Sequence, residues 1–291
     1  MIRCHELTKK YRRNEALHGL TLDVPEGSAF ALLGPNGAGK STAIKTVMNI
    51  LRPTSGRAEV LGVDSRRLGP RELSQIGYVS ENQELPEWMT VGAFLAYCKP
   101  LYPGWRDEDA AELVRTFGLP LDRKLRALSR GMRLKAALAA SLAYRPKLIV
   151  LDEPFSGLDV LVREQLIESI VERTPEATVL LASHDLAEIE SFATHVAYLN
   201  EGRLEFVEEI ASLFERFREV EVTAEDAPSG GAPRDWLNVE RSPHVVRFTD
   251  ARFQGAAAVA ERFPGAKEIV ARPMSLRQIV IALAKSARRT E

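Results

Sequence analysis

Residues 34 to 42 read Gly34-Pro-Asn-Gly-Ala-Gly-Lys-Ser-Thr42, and this stretch decides the fold of the chain. It satisfies G-x-x-x-x-G-K-[ST], the pattern of a phosphate-binding loop, which requires a strand before it and a helix after it. The apolar run AFALL at 29–33 is typical of a short buried strand, and STAIKTVMNIL, directly after Lys40, has helical spacing. The sequence therefore predicts a strand, a glycine loop and a helix that together bind a triphosphate.

The residue types of this loop suit phosphate chemistry. Its glycines lack Cβ, so the backbone can curl and present N–H groups to phosphates, and the helix that follows adds its positive end. The Lys40 ammonium can bridge two phosphates, and the Ser41 hydroxyl can ligate Mg²⁺. The residues predicted to bind the nucleotide here are Gly34, Pro35, Asn36, Gly37, Ala38, Gly39, Lys40, Ser41 and Thr42.

Composition places the chain among ordinary globular proteins. Its 291 residues suit one large or two domains, and 45% of them are hydrophobic and 27% charged. The net charge of −1 excludes the basic excess expected of a protein whose main partner is nucleic acid. The two cysteines, Cys4 and Cys98, have no metal spacing, which favours a reduced, cytosolic setting. We expect no secretory signal and no membrane span.

The order of apolar runs and helical patterns predicts an α/β fold with a parallel sheet covered on both faces. Short strands at 1–28 predict an antiparallel portion, and helical periodicity marks an insertion at about 84–145. We predict a first domain at 1–206, which contains the phosphate loop, and a small C-terminal α/β domain at 207–291, which is either an accessory domain or a packing extension of the first. We also expect a helix at 185–193, a flexible loop at 225–233 and a charged tail at 287–290.

A second acidic site follows the buried-strand run KLIVLD at 147–152. A carboxylate at the carboxyl end of such a strand faces ligands in an α/β sheet. Asp152 fits the role of holding Mg²⁺, and Glu153 fits that of a general base that polarises water. The alternative, a solvated turn with two acids, is disfavoured because a phosphate loop precedes it in the same chain.

Further motifs follow in a fixed order: Leu128-Ser129-Arg130-Gly131-Met132, Ser156-Gly157-Leu158-Asp159, and a late strand that ends at His184. With the phosphate loop and Asp152-Glu153-Pro154, this ordered set resembles the ATP-binding subunit of ABC transporters over about the first two-thirds of the chain. The resemblance implies a P-loop NTPase sheet flanked by helices, ATP and Mg²⁺ as ligands, and ATP hydrolysis in a head-to-tail dimer.

The resemblance also implies roles for individual residues. Residues 129–132 are similar to the signature motif, which contacts the γ-phosphate held by the opposite subunit, and Asp159 to the aspartate of the dimer-contacting loop. Glu153 resembles the catalytic base, and His184 the histidine that hydrogen-bonds the γ-phosphate and the attacking water. From the residues alone, we favour packing of Tyr11 on the sheet. The resemblance reverses this preference, because Tyr11 then resembles the aromatic residue that stacks on adenine.

Two departures from the family pattern stand out. Arg130 and Met132 replace a glycine and a glutamine of the common L-S-G-G-Q signature, and we expect Arg130 to point to solvent or to form an intersubunit ion pair. Glu81 stands where the family usually has a glutamine that ligates Mg²⁺, so either Glu81 or Gln83 takes that role. Trp88, nearby, either packs under the helical insertion or faces a membrane subunit.

The function that the resemblance implies is an ATPase subunit that drives export through a separate membrane permease. We expect a homodimer, integral membrane permease subunits as partners and no nucleic acid, with the chain cytoplasmic and held peripherally at the inner face of the cell membrane. The alternatives are a non-transport ABC ATPase that acts on nucleic acid or ribosomes, and a nucleotide-binding subunit that does not hydrolyse ATP.

Overall fold

The computed structural model describes residues 1–12, 14–81, 83–186, 189–190, 192–224, 233 and 235–287. The chain divides into two compact units, Met1–Leu204 and Glu205–Glu291. The strands are β1 (Ile2–Tyr11), β2 (Asn14–Val24), β3 (Ala29–Leu33), β4 (Ser55–Val60), β5 (Val63–Asp64), β6 (Ile76–Ser80), β7 (Leu148–Asp152), β8 (Thr178–Ser183), β9 (His195–Asn200), β10 (Arg203–Glu209), β11 (Arg218–Ala224), β12 (Trp236–Arg241), β13 (Val245–Asp250) and β14 (Ala266–Pro273). The α-helices are α1 (Lys40–Val47), α2 (Pro70–Leu73), α3 (Val91–Cys98), α4 (Asp107–Thr116), α5 (Arg130–Leu142), α6 (Val160–Arg173), α7 (Ile210–Arg216), α8 (Ala256–Arg262) and α9 (Leu276–Ala287).

A sheet that contains the strands β9-β3-β8-β7-β6 in this order forms the centre of the first unit. Strands β3, β6, β7, β8 and β9 pair in parallel, and β7 and β8 are buried along their whole length. Asp152 lies in register with Ser80 and Ala182, and Leu33 with Ser183, so four strands end at one edge. The residues that follow these strand ends, and therefore share that edge, are 34–39, Glu81, Glu153 and His184.

The first strands form a separate antiparallel sheet with the order β2-β1-β4-β5. Strands β1 and β2 make a long hairpin, from the pair Ile2–Val24 to the pair Tyr11–Asn14 at its tip. Alternate side chains of this hairpin are buried against α1, whose residues Ala43, Ile44 and Val47 belong to the same apolar core. The α/β class predicted from the sequence, including its antiparallel portion, is confirmed.

Three helices, α3, α4 and α5, lie between β6 and β7 in the chain. Helix α5 packs against β6: the Tyr144 hydroxyl, just after the helix, donates a 2.8 Å hydrogen bond to the Ile76 carbonyl. The Tyr144 ring also stacks on Tyr102 with its centroid 4.0 Å away. These contacts join the helical segment to the edge of the central sheet.

The second unit contains an antiparallel sheet with the order β12-β13-β11-β14. Its core is aromatic: Trp236 stacks on Phe248 at 4.0 Å and on Phe263 of the turn after α8 at 5.3 Å. Val220 and Val222 of the central strand β11 are buried in the same cluster. The unit is therefore a small α/β arrangement with its own core.

Some predicted segments fall on residues that the structure does not describe. The helix expected at 185–193 includes 187, 188 and 191, the loop expected at 225–233 includes 225–232, and the tail at 287–290 includes 288–290, all of which lie outside the described residues. In the part of the chain that is described, none of the helices has the length and apolar character that a membrane span requires.

The burial of β8 generates a stability prediction. Replacing Leu181, which is 0% exposed, with alanine should lower the free energy of unfolding by about 2–5 kcal/mol, because it removes transfer energy and leaves a cavity. The same substitution at Leu161, 78% exposed at the start of α6, should change it by less than about 0.5 kcal/mol. Urea unfolding followed by circular dichroism measures both, and equal losses would contradict the assigned burial.

Candidate active site

The phosphate loop joins β3 to α1 in a conformation that glycine alone tolerates well. Gly39 has φ of +104°, and a Cβ on it would lie 2.5 Å from the carbonyl oxygen of Ala16 in β2. A Cβ on Gly34 would overlap the carbonyl oxygen of Leu199 at the end of β9. The loop is thus held against two strands, which fixes the direction of its N–H groups and the start of α1.

The ammonium group of Lys40 is buried, and three oxygen atoms contact it. The residue is 5% exposed, and its Nζ donates to the carbonyl oxygens of Gly34 at 2.7 Å and Pro35 at 3.2 Å. Nζ also lies 3.0 Å from Oε1 of Glu153. Because a buried ammonium is costly without partners, a phosphate that enters the loop has to replace some of these oxygens.

Ser41 and Asp152 meet at the edge of the sheet. The Ser41 hydroxyl donates to Oδ1 of Asp152 at 2.7 Å, which ties the first turn of α1 to the end of β7. Burial raises the pKa of Asp152 above its ordinary value, although the Ser41 hydrogen bond and the nearby ammonium groups of Lys45 and Lys40 lower it. A hydroxyl and a carboxylate oxygen at this distance are the kind of ligands that Mg²⁺ accepts beside phosphate.

Glu153 connects the Lys40 ammonium to His184. Its second oxygen, Oε2, lies 2.7 Å from Nδ1 of His184, while Oε1 contacts Lys40. Its backbone has φ of +51°, and its N–H donates to Ala182 at 3.0 Å. A non-glycine residue in this left-handed region is strained, and such strain concentrates at functional sites. The structure thus brings the predicted base and the predicted histidine together.

The remaining predicted motif residues begin helices. The hydroxyl of Ser129 accepts a 3.3 Å hydrogen bond from the N–H of Met132 and so caps α5, and Asp159 caps α6 by accepting from Val162 at 3.0 Å. A Cβ on Gly131 would lie 3.5 Å from Leu158, so the start of α5 packs against the loop before α6. Both helix N-termini therefore lie next to each other.

Tyr11 and Trp88 are both exposed, although packing was one of the interpretations for each of them. Tyr11 lies at the tip of the β1–β2 hairpin, is exposed, and has the Lys9 ammonium 5.1 Å from its ring centroid. The Ala16 carbonyl, close to that tip, contacts Gly39, so the hairpin end is on the side of the phosphate loop. Trp88 is 71% exposed, which excludes the alternative in which it packs under the helical insertion.

Arg130 takes part in an ion pair that the sequence did not predict. Its side chain is exposed, as expected, and its Nη2 also donates to Oε1 of Glu81 in the same chain at 2.5 Å. Glu81 itself follows β6, and its N–H donates to the Asp152 carbonyl at 3.0 Å. Gln83 is exposed, and its N–H closes a turn on Ser80. Arg130 and Glu81, which both depart from the family pattern, therefore form an ion pair in which Arg130 is the cation and Glu81 the anion.

Sequence reasoning missed another ion pair beside the site. Nη1 of Arg163 in α6 lies 3.0 Å from Oδ2 of Asp185, the residue after His184. This contact joins α6 to the end of β8 and supports the position of His184. The sequence signal was Asp185, an acidic residue adjacent to the predicted catalytic histidine. Its partner Arg163 lies 22 residues earlier in the sequence, and only the fold brings the two side chains together.

Comparison with known proteins identifies the class. The model of the ABC transporter family matches residues 17–156. The chain is 31% identical to the uncharacterized ABC transporter ATP-binding protein YxlF of Bacillus subtilis, over 73% of this chain and 72% of that protein. Its fold matches a solved ATP-binding subunit of an ABC transporter with a TM-score of 0.67 at 27% identity, over 74% of this chain and 92% of the other. The chain belongs to the ABC transporter ATP-binding family, whose members bind and hydrolyse ATP.

Other similar proteins differ in the process that their names state. The daunorubicin/doxorubicin resistance ATP-binding protein DrrA of Streptomyces peucetius is 38% identical, over 68% of this chain and 62% of its own length. The phosphonates import ATP-binding protein PhnC 2 of a Synechococcus strain is 33% identical, over 70% and 83%. The chain spans 58% and 60% of two further curated relatives, from Nostoc and Synechocystis. The family is therefore shown, and the similar proteins include one named for drug resistance and one named for import.

The buried carboxylate of Asp152 gives a prediction about pH. A carboxyl whose pKa is raised on folding is protonated more readily in the folded chain, so stability falls as pH rises from about 4, the ordinary value, through the raised one. Asp152→Asn removes this carboxyl, so the variant does not lose stability in this way as pH rises. In the nucleotide-free chain its stability relative to the natural sequence should therefore rise with pH across that window and level off above it.

Urea unfolding of both chains at a series of pH values measures this difference. The matched control is Glu112→Gln, which removes an exposed carboxylate whose pKa is lowered by the hydrogen bond from Arg173. Its stability relative to the natural sequence should fall with rising pH. A difference for Asp152→Asn that does not change with pH would contradict the raised pKa.

Proposed function

We propose that two copies of this chain close head-to-tail on ATP and hydrolyse it to move a substrate through a separate membrane permease. The observation that carries the proposal is the convergence of Lys40, Ser41, Asp152, Glu153 and His184 at the edge where β3, β7 and β8 end. Binding, metal-holding and proton-accepting groups are thus within a few ångströms of one another in one chain.

The second copy supplies the other half of the proposed site. The N-terminus of α5, capped by Ser129, has the positive end of a helix of 13 residues, and the N–H groups of a first turn lack intrahelical partners. In a head-to-tail pair these donors face the γ-phosphate of the other copy, and Asp159, at the start of α6, lies at the contact between copies. A solved ATP-binding cassette that is similar to this chain, with 25% identity and a TM-score of 0.63 over 72% of this chain and 99% of the other, is a dimer bound to ADP and Pi.

The chain's own groups then act as follows. Lys40 exchanges the Glu153 carboxylate for phosphate oxygens, which frees Glu153 to accept a proton from the attacking water. His184 holds Glu153 through its Nδ1 and orients the carboxylate. Bound Mg²⁺ would supply positive charge that neutralises the phosphates, held by Ser41 and Asp152. Tyr11 would stack on the adenine, and the phosphate loop from Gly34 to Thr42 would hold the phosphates.

The permease partner and the direction of transport complete the proposal. The chain acts at the inner face of the membrane with separate integral membrane subunits, and the proposed direction is export. The similarity to DrrA, named for resistance to two drugs, supports export. Import is the second candidate, favoured by a sulfate/thiosulfate import ATP-binding protein of Mesorhizobium japonicum that is 29% identical over 92% of this chain. Residues 1–206 would form the ATPase domain and 207–291 an accessory domain.

Removing the proposed base tests the ATPase assignment. Glu153→Gln should lower the rate of phosphate release by about 100-fold or more, since a positioned general base contributes that much. It should also retain ATP, so that a dimer accumulates in size-exclusion chromatography with ATP and Mg²⁺. Glu112→Gln, which loses an exposed pair with Arg173 outside the site, is the control and should turn over normally. Unchanged phosphate release in Glu153→Gln would rule out this base.

A further inference from the structure

The guanidinium of Arg130 joins three segments of the proposed site. Its Nη2 contacts Oε1 of Glu81 at 2.5 Å, in the loop after β6. Its Nη1 lies against Gly157 in the loop before α6, where a Cβ would be only 3.1 Å away. Arg130 itself is the first residue of α5. One side chain thus fixes the loop after β6 relative to the start of α5 and the loop that precedes Asp159.

Glu81 is in turn connected to the phosphate loop. Its N–H donates to the Asp152 carbonyl at 3.0 Å, and the Asp152 carboxylate accepts from Ser41 at 2.7 Å. An unbroken series of contacts therefore runs from the first turn of α1 through the end of β7 to the first turn of α5. The series contains two carboxylates, those of Asp152 and Glu81, and Glu81 is the one that pairs with an arginine.

From this arrangement we infer that Arg130 is a positioning residue that holds the Glu81 carboxylate and competes for it with the metal ion of bound Mg-ATP. The inference rests on the proposed function, since it needs a metal beside Ser41 and Asp152. A carboxylate that is satisfied by a guanidinium has to give up a charge-assisted hydrogen bond before it ligates a cation. Nucleotide loading would then release Arg130 from Glu81 at the start of α5.

The strength of the competition follows from exposure. The side chains of Arg130 and Glu81 are 48% and 29% exposed, so solvent screens their attraction and the pair is a weak one. We expect Arg130→Ala to tighten metal binding about fivefold, which corresponds to the upper end of the range for exposed ion pairs. A fivefold change in affinity regulates the binding of the metal ion without abolishing it.

The test is a double-mutant cycle on metal binding rather than on turnover. Mn²⁺ is titrated into the chain loaded with the non-hydrolysable analogue AMP-PNP, and free Mn²⁺ is measured by electron paramagnetic resonance. Arg130→Ala should lower the Mn²⁺ dissociation constant about fivefold, and Arg130→Lys should restore most of the original value because it keeps the charge. In a Glu81→Gln background, Arg130→Ala should have no effect, because the contested carboxylate is gone.

The matched control is Arg133→Ala, which removes the same charge one turn further along α5, where the partner is Glu87 at 3.5 Å. It should leave the Mn²⁺ dissociation constant unchanged. An equal effect in Arg133→Ala, or in the Glu81→Gln background, would show a general charge effect and overturn the inference, as would unchanged or weaker Mn²⁺ binding in Arg130→Ala.

Failure of the proposed function has a different signature. If the natural chain bound no AMP-PNP, the ATPase proposal itself would fall. The ion pair is then tested in the nucleotide-free chain by the losses in Tm of Arg130→Ala, Glu81→Gln and the double variant. A double loss smaller than the sum of the single losses supports the pair, and losses that add in full overturn it.

Discussion

The buried ammonium of Lys40 is the constraint on which the site depends. At 5% exposure it requires oxygen partners, and it finds them in two loop carbonyls and the Glu153 carboxylate. The same carboxylate contacts His184, so the charge of Lys40 determines where both groups lie when no phosphate is bound. Phosphate oxygens can replace Glu153 at the ammonium without leaving it unpaired. Binding of the nucleotide is thereby linked to the release of the group proposed as the base.

The sheet makes this constraint possible. Parallel strands β3, β7 and β8 end in register, so residues separated by more than a hundred positions in the sequence reach the same edge. The backbone of the loop is held by Gly34 and Gly39, which approach the carbonyls of neighbouring strands too closely for any side chain. Packing within the sheet thus fixes the distance between the phosphate loop and the acidic pair, which neither segment could fix alone.

Local sequence signals were sufficient for much of this arrangement. The apolar runs before Gly34 and Asp152 predicted buried strands, and the glycine spacing predicted the loop between β3 and α1. The contacts of Arg130 could not be predicted in the same way. Its partner Glu81 lies 49 residues away, and a local pattern shows only that the arginine is charged. The exposure of Trp88 was equally undetermined, because an apolar side chain in a loop packs or protrudes according to the fold around it.

The central claim is that each catalytic site is built from two copies of the chain. Mixing two inactive variants tests it most directly: Lys40→Ala lacks the phosphate-binding group but keeps α5, and Ser129→Arg keeps the phosphate loop but blocks the N-terminus of α5. A mixed dimer contains one intact site, so the mixture should regain a substantial part of the ATPase rate of the natural chain. A mixture as inactive as its two components, although each still binds the other, would contradict a site shared between subunits.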